Sequence, residues 1–193
     1  MKNVMLIVSC LMVFTMVANA DTILLMDGQN GYNGNETTGL MSHIPTSNNG
    51  AVDYDYINLG GTYRARTLYR WDVSSLAGAT INSVTLTLVA WARGEPDPVG
   101  GIDVHEMLPV NSGWTETGAT WNNLEESTST SWAGSVGAST PDVDYAATPI
   151  ANIGDLDNSA PGAYSFPSPV AIPISLVQGW VDNAANNAGF MLK

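Results

Sequence analysis

The sequence predicts an all-β domain, a β-sandwich or jelly roll. Short runs of alternating apolar and polar residues recur along the chain, and Gly, Asn and Pro separate them. Strong helical periodicity is absent. The 193 residues fit one domain that is large enough to bury a core without metal or disulfide cross-links. Many short strands at this spacing are typical of sandwiches and jelly rolls.

Residues 1–20 are predicted to be a cleaved secretory signal peptide, which leaves 21–193 as the domain. Lys2 precedes an apolar run that is too short to span a membrane, and an A-x-A cleavage pattern occupies 18–20. We therefore expect a secreted, extracellular protein with no membrane contact after cleavage. The single cysteine, Cys10, lies in this segment; its lipidation is the less favoured alternative, because few apolar residues precede it. A mature chain without cysteine excludes disulfides and thiol catalysis.

The charge balance argues against nucleic acid as a partner. Lys2 is one of six basic residues, so five remain in the mature chain against eighteen acidic ones. Such a surface repels phosphate backbones. Acidic loops of a secreted domain do suit structural calcium, and Asp-x-Asp pairs occur at 53/55, 142/144 and 155/157. Of these, Asp155 and Asp157 are the predicted calcium ligands, without EF-hand spacing.

The first half of the chain yields three predicted strands. Thr22 to Met26 is the first strand, and 27–39 is a loop with Asn-Gly turns. Two alternating runs then flank Gly60-Gly61, a pattern typical of a two-residue hairpin. This register places Asp55 opposite Arg66.

The second half continues the pattern. Residues 81–92 and 102–108 are predicted strands, and 123–169 is a long loop region with one or two short strands. Residues 170–181 should form a strand followed by one helical turn, for which Ser175 is a candidate cap. A last strand follows in "GFMLK".

Three stretches carry a family resemblance: "YRARTLYRWDVSSLAGATINSVTLTLVAW", "VHEMLPVNSGWTETGATWNN" and "VAIPISLVQGWVDNAANNAGFMLK". Together they resemble the DNRLRE-domain group, which includes alginate-binding carbohydrate-binding modules. The resemblance implies a jelly-roll β-sandwich, usually a non-catalytic module that engages polysaccharide. The residues of this sequence that match the group's structural pattern are Trp114, Glu116, Trp121, Asn122 and Trp180.

One departure from the group concerns the end of the chain. Members of the group typically continue into one more strand, whereas this sequence stops at Lys193. Two interpretations stand side by side: the reading frame is incomplete, or a neighbouring molecule supplies the strand. The second would leave an open sheet edge for a partner or for self-association.

Three arginines are the sharpest binding candidates. Arg64, Arg66 and Arg70 fall on one strand with one parity, and on an acidic polysaccharide they would grip carboxylates in a bidentate way. The alternative is that aspartates across the hairpin pair with them. Tyr54 and Tyr56 are candidates for stacking on sugar rings, although their face is the more apolar one and suits the core.

The stretch "GWTETGATWNN" is interpreted as structural. Gly118 interrupts it, so its two tryptophans are expected to be core aromatics at a bend, with Glu116 anchoring a backbone amide or an arginine such as Arg93. Signs of catalysis are few. Asp103 and His105 share a strand face but no nucleophile elbow accompanies them.

The predicted function is therefore a secreted, non-catalytic carbohydrate-binding module. Its ligand would be an extracellular polysaccharide, including acidic ones such as alginate, and Ca²⁺ would be the only cofactor. Two rivals stay open: a structural or adhesive protein that assembles through sheet edges, and a small polysaccharide lyase.

Overall fold

The fold is mostly β with one helix. The computed structural model describes residues 21–51, 57, 62–87, 89–90, 101–153, 164–165 and 169–193. Within these residues the elements are β1 (Asn35–Met41), β2 (Ala65–Trp71), β3 (Thr85–Leu86), β4 (Val89–Ala90), β5 (Asp103–Glu106), β6 (Asn123–Glu125), β7 (Thr130–Ser131), β8 (Ala151–Asn152), β9 (Tyr164–Ser165), β10 (Val170–Ala171), α1 (Ile174–Asp182) and β11 (Phe190–Leu192). Short 3₁₀ turns occur at Ser74–Leu76, Pro109–Asn111 and Ala184–Asn186.

The organising element is a five-stranded antiparallel sheet in the order β1-β2-β11-β5-β8. The last strand of the chain, β11, therefore lies in the middle of the sheet. Three two-stranded ladders, β3–β10, β4–β9 and β6–β7, accompany it. The abundance of strands fits a β-sandwich, while jelly-roll closure stays a prediction.

Strand β1 corrects the sequence-based assignment, which put its first half in a loop and the first strand at Thr22 to Met26. It pairs with β2 over seven residues, from Asn35 opposite Trp71 to Met41 opposite Ala65. Its N-terminal half is polar and lacks alternation, so only the partner strand stabilises it as a strand. Residues 22–26 form no strand, and the side chains of Ile23 and Leu24 are largely exposed.

The predicted Gly60-Gly61 hairpin falls mostly outside the described residues, because 52–56 and 58–61 are not among them. The register of β2 is fixed by β1 on one side and β11 on the other. In β1, Leu40 is the residue opposite Arg66 and Glu36 is the residue opposite Arg70.

Two further predictions need correction. Of the strand expected over 81–92, residues 81–84 are not in a strand; β3 pairs with β10 and β4 with β9, and residues 88, 91 and 92 lie outside the described residues. The helical turn expected after β10 is a nine-residue helix, α1, that begins directly after Pro173. Ser175 therefore lies inside the helix, and no side chain caps its first turn.

Each face of the sheet is covered by its own apolar cluster. The loop face lies under residues 107–145, and its buried residues include Leu40, Leu68, Met107, Trp114, Trp121, Trp132, Tyr145 and Met191. The helix face lies under α1 and nearby strands, and its buried residues include Val104, Ile153, Ile172, Val177, Trp180, Phe190 and Leu192. Successive residues of β11 alternate between the two clusters, as strand geometry requires.

Candidate functional site

Strand β2 carries Arg66 and Arg70, and we call it the arginine strand; both side chains lie on the loop face. Arg66 is only 8% exposed, lies with its guanidinium carbon 5.4 Å from the ring centroid of Trp121, and donates a hydrogen bond to the carbonyl oxygen of Gly137. Burial lowers the pKa of the Arg66 guanidinium from its ordinary value, because the cation loses hydration; Tyr145 and Asp144 oppose this effect. Its guanidinium is therefore committed to contacts within the domain.

Arg70 is held in the same way. It forms a salt bridge with Glu36 and donates hydrogen bonds to the carbonyl oxygens of Ser112 at 2.5 Å and Trp114 at 2.8 Å. Its guanidinium carbon lies 4.6 Å from the centroid of the Trp114 ring. The acidic partner of Arg70 among the described residues is therefore Glu36 of β1; Asp53 and Asp55 of the predicted hairpin lie outside those residues.

The tryptophans of "GWTETGATWNN" lie in the core above these arginines. Trp114 is fully buried and donates from Nε1 to the carbonyl oxygen of Ala188 at 2.9 Å; Trp121 is 9% exposed.

The other residues of the family pattern also have structural contacts. Glu116 accepts a long hydrogen bond, 3.4 Å, from the amide of Thr37. The amide of Asn122 donates to the carbonyl oxygen of Pro45. Trp180, 3% exposed, belongs to the other face of the sheet.

Residues 107–145 cover the loop face, and we call them the covering segment; Gly137 is a position in it that requires glycine. Gly137 has a φ of +72°, and a Cβ there would lie 2.7 Å from the Trp121 ring. The glycine lets the backbone pass directly under the indole, which places its carbonyl oxygen beside Arg66.

Asp144 is a buried acid whose role the sequence did not indicate. It is fully buried, and its carboxylate accepts hydrogen bonds from the amides of Gly134, Ser135 and Thr140 and from the side chain of Asn111. These donors occupy the oxygens of Asp144 that a cation would need, so this carboxylate of the 142/144 pair stabilises the loop. The only signal for such a role was the Ser-, Thr- and Gly-rich loop around it.

The predicted calcium ligands, Asp155 and Asp157, lie outside the described residues, as does the Asp-x-Asp pair at 53/55. Within the described ranges, no group of three or more His, Cys, Asp or Glu side chains could hold a metal ion. Calcium binding by this protein stays a prediction.

His105 is unsuited to act on a polymer. It is 2% exposed, its Nδ1 lies 2.8 Å from the carbonyl oxygen of Ala146, and its ring meets that of Tyr145 edge to face at 4.9 Å. Burial lowers the pKa of the His105 imidazole. A polysaccharide could not reach this ring without opening the core.

Exposed side chains lie at the end of the β1–β2 pair where β1 ends and β2 begins. The pairing continues beyond the strand ends, because the amide of Ser42 donates to the carbonyl oxygen of Arg64 and the amide of Arg64 donates to the Ser42 hydroxyl. This places His43 opposite Tyr63. Tyr63 is 58% exposed and meets the exposed His43 edge to face, with ring centroids 5.1 Å apart. Arg64, next in the chain, is also exposed. We call His43, Tyr63 and Arg64 the Tyr63 corner.

The family of the chain is shown by a comparison with known protein families. The sequence model of carbohydrate-binding module family 96 matches residues 31–152. The chain belongs to this family. No curated protein and no solved structure matched the chain.

Membership of carbohydrate-binding module family 96 confirms the resemblance drawn from the sequence, since the DNRLRE-type description is consistent with this family. The matched range runs from before β1 to β8, and so contains the arginine strand, the covering segment and the Tyr63 corner. Carbohydrate is therefore the class of partner to which the family points.

The remaining predicted contacts of the family 96 module fall in two groups. Arg64 is exposed, whereas the guanidinium groups of Arg66 and Arg70 donate hydrogen bonds to carbonyl oxygens on the loop face. Tyr54 and Tyr56 lie outside the described residues. No helix in the described part of the chain is long and apolar enough to span a bilayer.

Among the described residues, no strand pairs with the edge of β1 that faces away from β2, and this edge bears on assembly through sheet edges. Side chains already occupy three of its backbone groups: Asp27 accepts from the amide of Asn35, Glu116 from the amide of Thr37, and Asn49 donates to the carbonyl oxygen of Gly39. A strand whose outward groups are bonded in this way offers few sites for an added strand.

Proposed function

We propose that this domain is a secreted, non-catalytic module that binds an acidic polysaccharide, such as alginate, at the Tyr63 corner. The observation that carries the proposal is the exposed Tyr63–His43 ring pair; the exposed Arg64 follows Tyr63 in the chain. Secretion and the jelly-roll closure of the fold follow from the predicted signal peptide and the family resemblance.

The chemistry of the corner suits a uronate. Sugar rings have apolar C–H faces that pack against an exposed aromatic ring such as that of Tyr63. A guanidinium binds a carboxylate through two parallel hydrogen bonds. Among the basic side chains that the structure describes, Arg64 is the exposed one, since Arg66 is buried and Arg70 and Lys193 are partly buried. On a protein with a formal net charge of −12, a polyanion needs such a local cation.

Affinity electrophoresis of the mature protein through gels containing alginate, pectin or neutral glycans tests the proposal. We expect retardation on alginate, and a loss of affinity of about tenfold or more for Tyr63→Ala and for Arg64→Ala. Arg64→Lys should recover only part of the loss, because lysine keeps the charge but not the fork. Retardation should weaken with salt.

Val136→Ala is the matched control, since Val136 is half exposed and lies on the covering segment. It should bind alginate as the unchanged protein does. Equal retardation of Tyr63→Ala and the unchanged protein would remove the corner as the site, and no retardation on any glycan would reject polysaccharide binding altogether.

A second candidate function, uronate lyase, rests on the same side chains. Histidine and tyrosine can exchange a proton with a sugar carbon and a leaving oxygen, and arginine can neutralise the carboxylate beside them. The corner is open to solvent, however, and a proton-transfer site gains from enclosure. Binding without turnover is therefore favoured. Accumulation of unsaturated-uronate absorbance during long incubation, lost in His43→Ala, would establish the lyase instead.

A further inference from the structure

A cavity of about 450 Å³ lies on the helix face, at the junction of α1 with the end of β5. Its walls include Glu106, Pro173, Leu176, Gly179, Trp180 and Asn186. This volume falls in the range of small-ligand sites. Glu106 is level with Tyr69 across β11, whereas Tyr63 lies six residues earlier, so the cavity and the Tyr63 corner are about 20 Å apart along the strands.

Glu106 is the chemical centre of the cavity. It is partly buried, and no donor among the described residues hydrogen-bonds its carboxylate. Burial raises the pKa of this carboxyl. A half-buried carboxylate that no protein donor bonds is available to accept hydrogen bonds from the hydroxyl groups of a ligand. The cavity walls are otherwise apolar or neutral, with no basic side chain among them.

Gly179 keeps the cavity open. It sits inside the nine-residue helix α1, where glycine is a poor helix former, and a Cβ built on it meets nothing within 4 Å. Packing therefore does not require glycine here. The missing side chain instead leaves room beside Leu176 and Trp180.

We propose that this α1 cavity is a second carbohydrate subsite, one that takes an uncharged hexose unit. Neighbouring hydroxyls of the sugar donate to the Glu106 carboxylate, and one face of the ring packs on Pro173 and Leu176 beside Gly179. A uronate is excluded, because its carboxylate would meet that of Glu106. The subsite thus complements the Tyr63 corner in charge, and the inference rests on the proposed carbohydrate-binding function.

Affinity electrophoresis in gels of a neutral β-glucan, a galactomannan and alginate tests the subsite. We expect the unchanged protein to be retarded by at least one of the two neutral glycans. Glu106→Gln should weaken that binding about tenfold and leave alginate binding unchanged. Glu126→Gln, the same change at an exposed glutamate of the β6–β7 turn, is the matched control and should alter neither.

Gly179→Ala separates binding from folding. The change should raise the urea midpoint of unfolding, because alanine favours the helix and its Cβ meets open space. It should also lower neutral-glycan retardation, and Gly179→Phe should abolish it. A merely structural glycine would leave retardation untouched.

The outcomes distinguish this inference from the proposed function. Alginate retardation without retardation on either neutral glycan overturns the subsite and leaves the Tyr63 corner intact. Neutral-glycan retardation that survives both Glu106→Gln and Gly179→Phe places that binding elsewhere and also overturns the subsite. Retardation on a gel of chitosan alone, lost in Glu106→Gln, would make the cavity a site for an ammonium group and overturn the uncharged sugar.

Discussion

The two faces of the five-stranded sheet are buried by different means. On the helix face, Val177 and Trp180 of α1 pack on Phe190 in an apolar contact, with Trp180 and Phe190 ring centroids 5.0 Å apart. On the loop face, two arginines lie between the sheet and two tryptophans, and their guanidinium groups hydrogen-bond carbonyl oxygens of the covering segment.

The difference shows how irregular chain can cover a sheet. Residues 107–145 contain few regular elements, so many of their carbonyl groups lack a strand or helix partner. Buried carbonyl groups need donors, and Arg66 and Arg70 supply them from the strand below. A helix satisfies its own backbone, so α1 needs only an apolar face. Arginines on a strand can thus belong to the interior.

The largest expected effects come from the tryptophans. Trp114→Ala and Trp180→Ala should each lower the free energy of unfolding by about 3–5 kcal/mol, since both rings are buried. Substitution of each tryptophan by phenylalanine should distinguish the two faces by its cost in free energy of unfolding. Trp114→Phe should cost about 1–2 kcal/mol more than Trp180→Phe, because it removes the hydrogen bond to Ala188 and weakens the stacking of Arg70. Urea unfolding measures both, and equal costs would mean that packing alone holds the loop face.

A smaller effect should distinguish two arginines of the same strand region. Arg66→Ala should cost about 2–4 kcal/mol, because it opens space under Trp121 and leaves the Gly137 carbonyl without its donor. Arg64→Ala, at an exposed position, should change stability by no more than about 0.5 kcal/mol. Arg66→Met should recover part of the loss by filling the space. A destabilisation of Arg64→Ala as large as that of Arg66→Ala would contradict the assignment of Arg66 to the core.

The smallest expected effect is on the pH dependence of stability. His105 on the loop face and Glu106 on the helix face should contribute to it in opposite directions. On the loop face, burial holds the pKa of His105 below its unfolded value of about 6.5. As pH falls below about 6.5, the unfolded chain binds a proton that the folded chain does not, so stability is lost. On the helix face, burial raises the pKa of Glu106 above 4.5. The folded chain then binds its proton first, and stability rises as pH falls towards 4.5.

Urea unfolding at a series of pH values in two variants checks this. His105→Asn should remove part of the acid-induced loss below pH 6.5, and Glu106→Gln should remove part of the gain nearer 4.5. A His105→Asn variant with the slope of the unchanged protein would show that His105 does not carry the loss.

By itself, the sequence determined the class of fold, the family and the faces of the strands. The alternation around Arg66, Leu68 and Arg70 placed these residues on one face of β2, because side chains alternate in any strand. The motif around Trp114 and Trp121 indicated buried aromatics that belong to the family pattern. These are local or compositional signals, and they can be identified without knowing which segment packs against the strand.

Only the tertiary structure decided what covers each face and which strands meet. The alternation of side chains predicts that the arginines share a face. It does not predict that residues 107–145 fold over that face, because this packing depends on contacts between residues distant in sequence. The polar half of β1 became a strand through pairing with β2, and the same pairing set His43 opposite Tyr63. Such contacts arise from chain packing, so the sequence could indicate Arg64 but not the pairing that sets His43 opposite Tyr63.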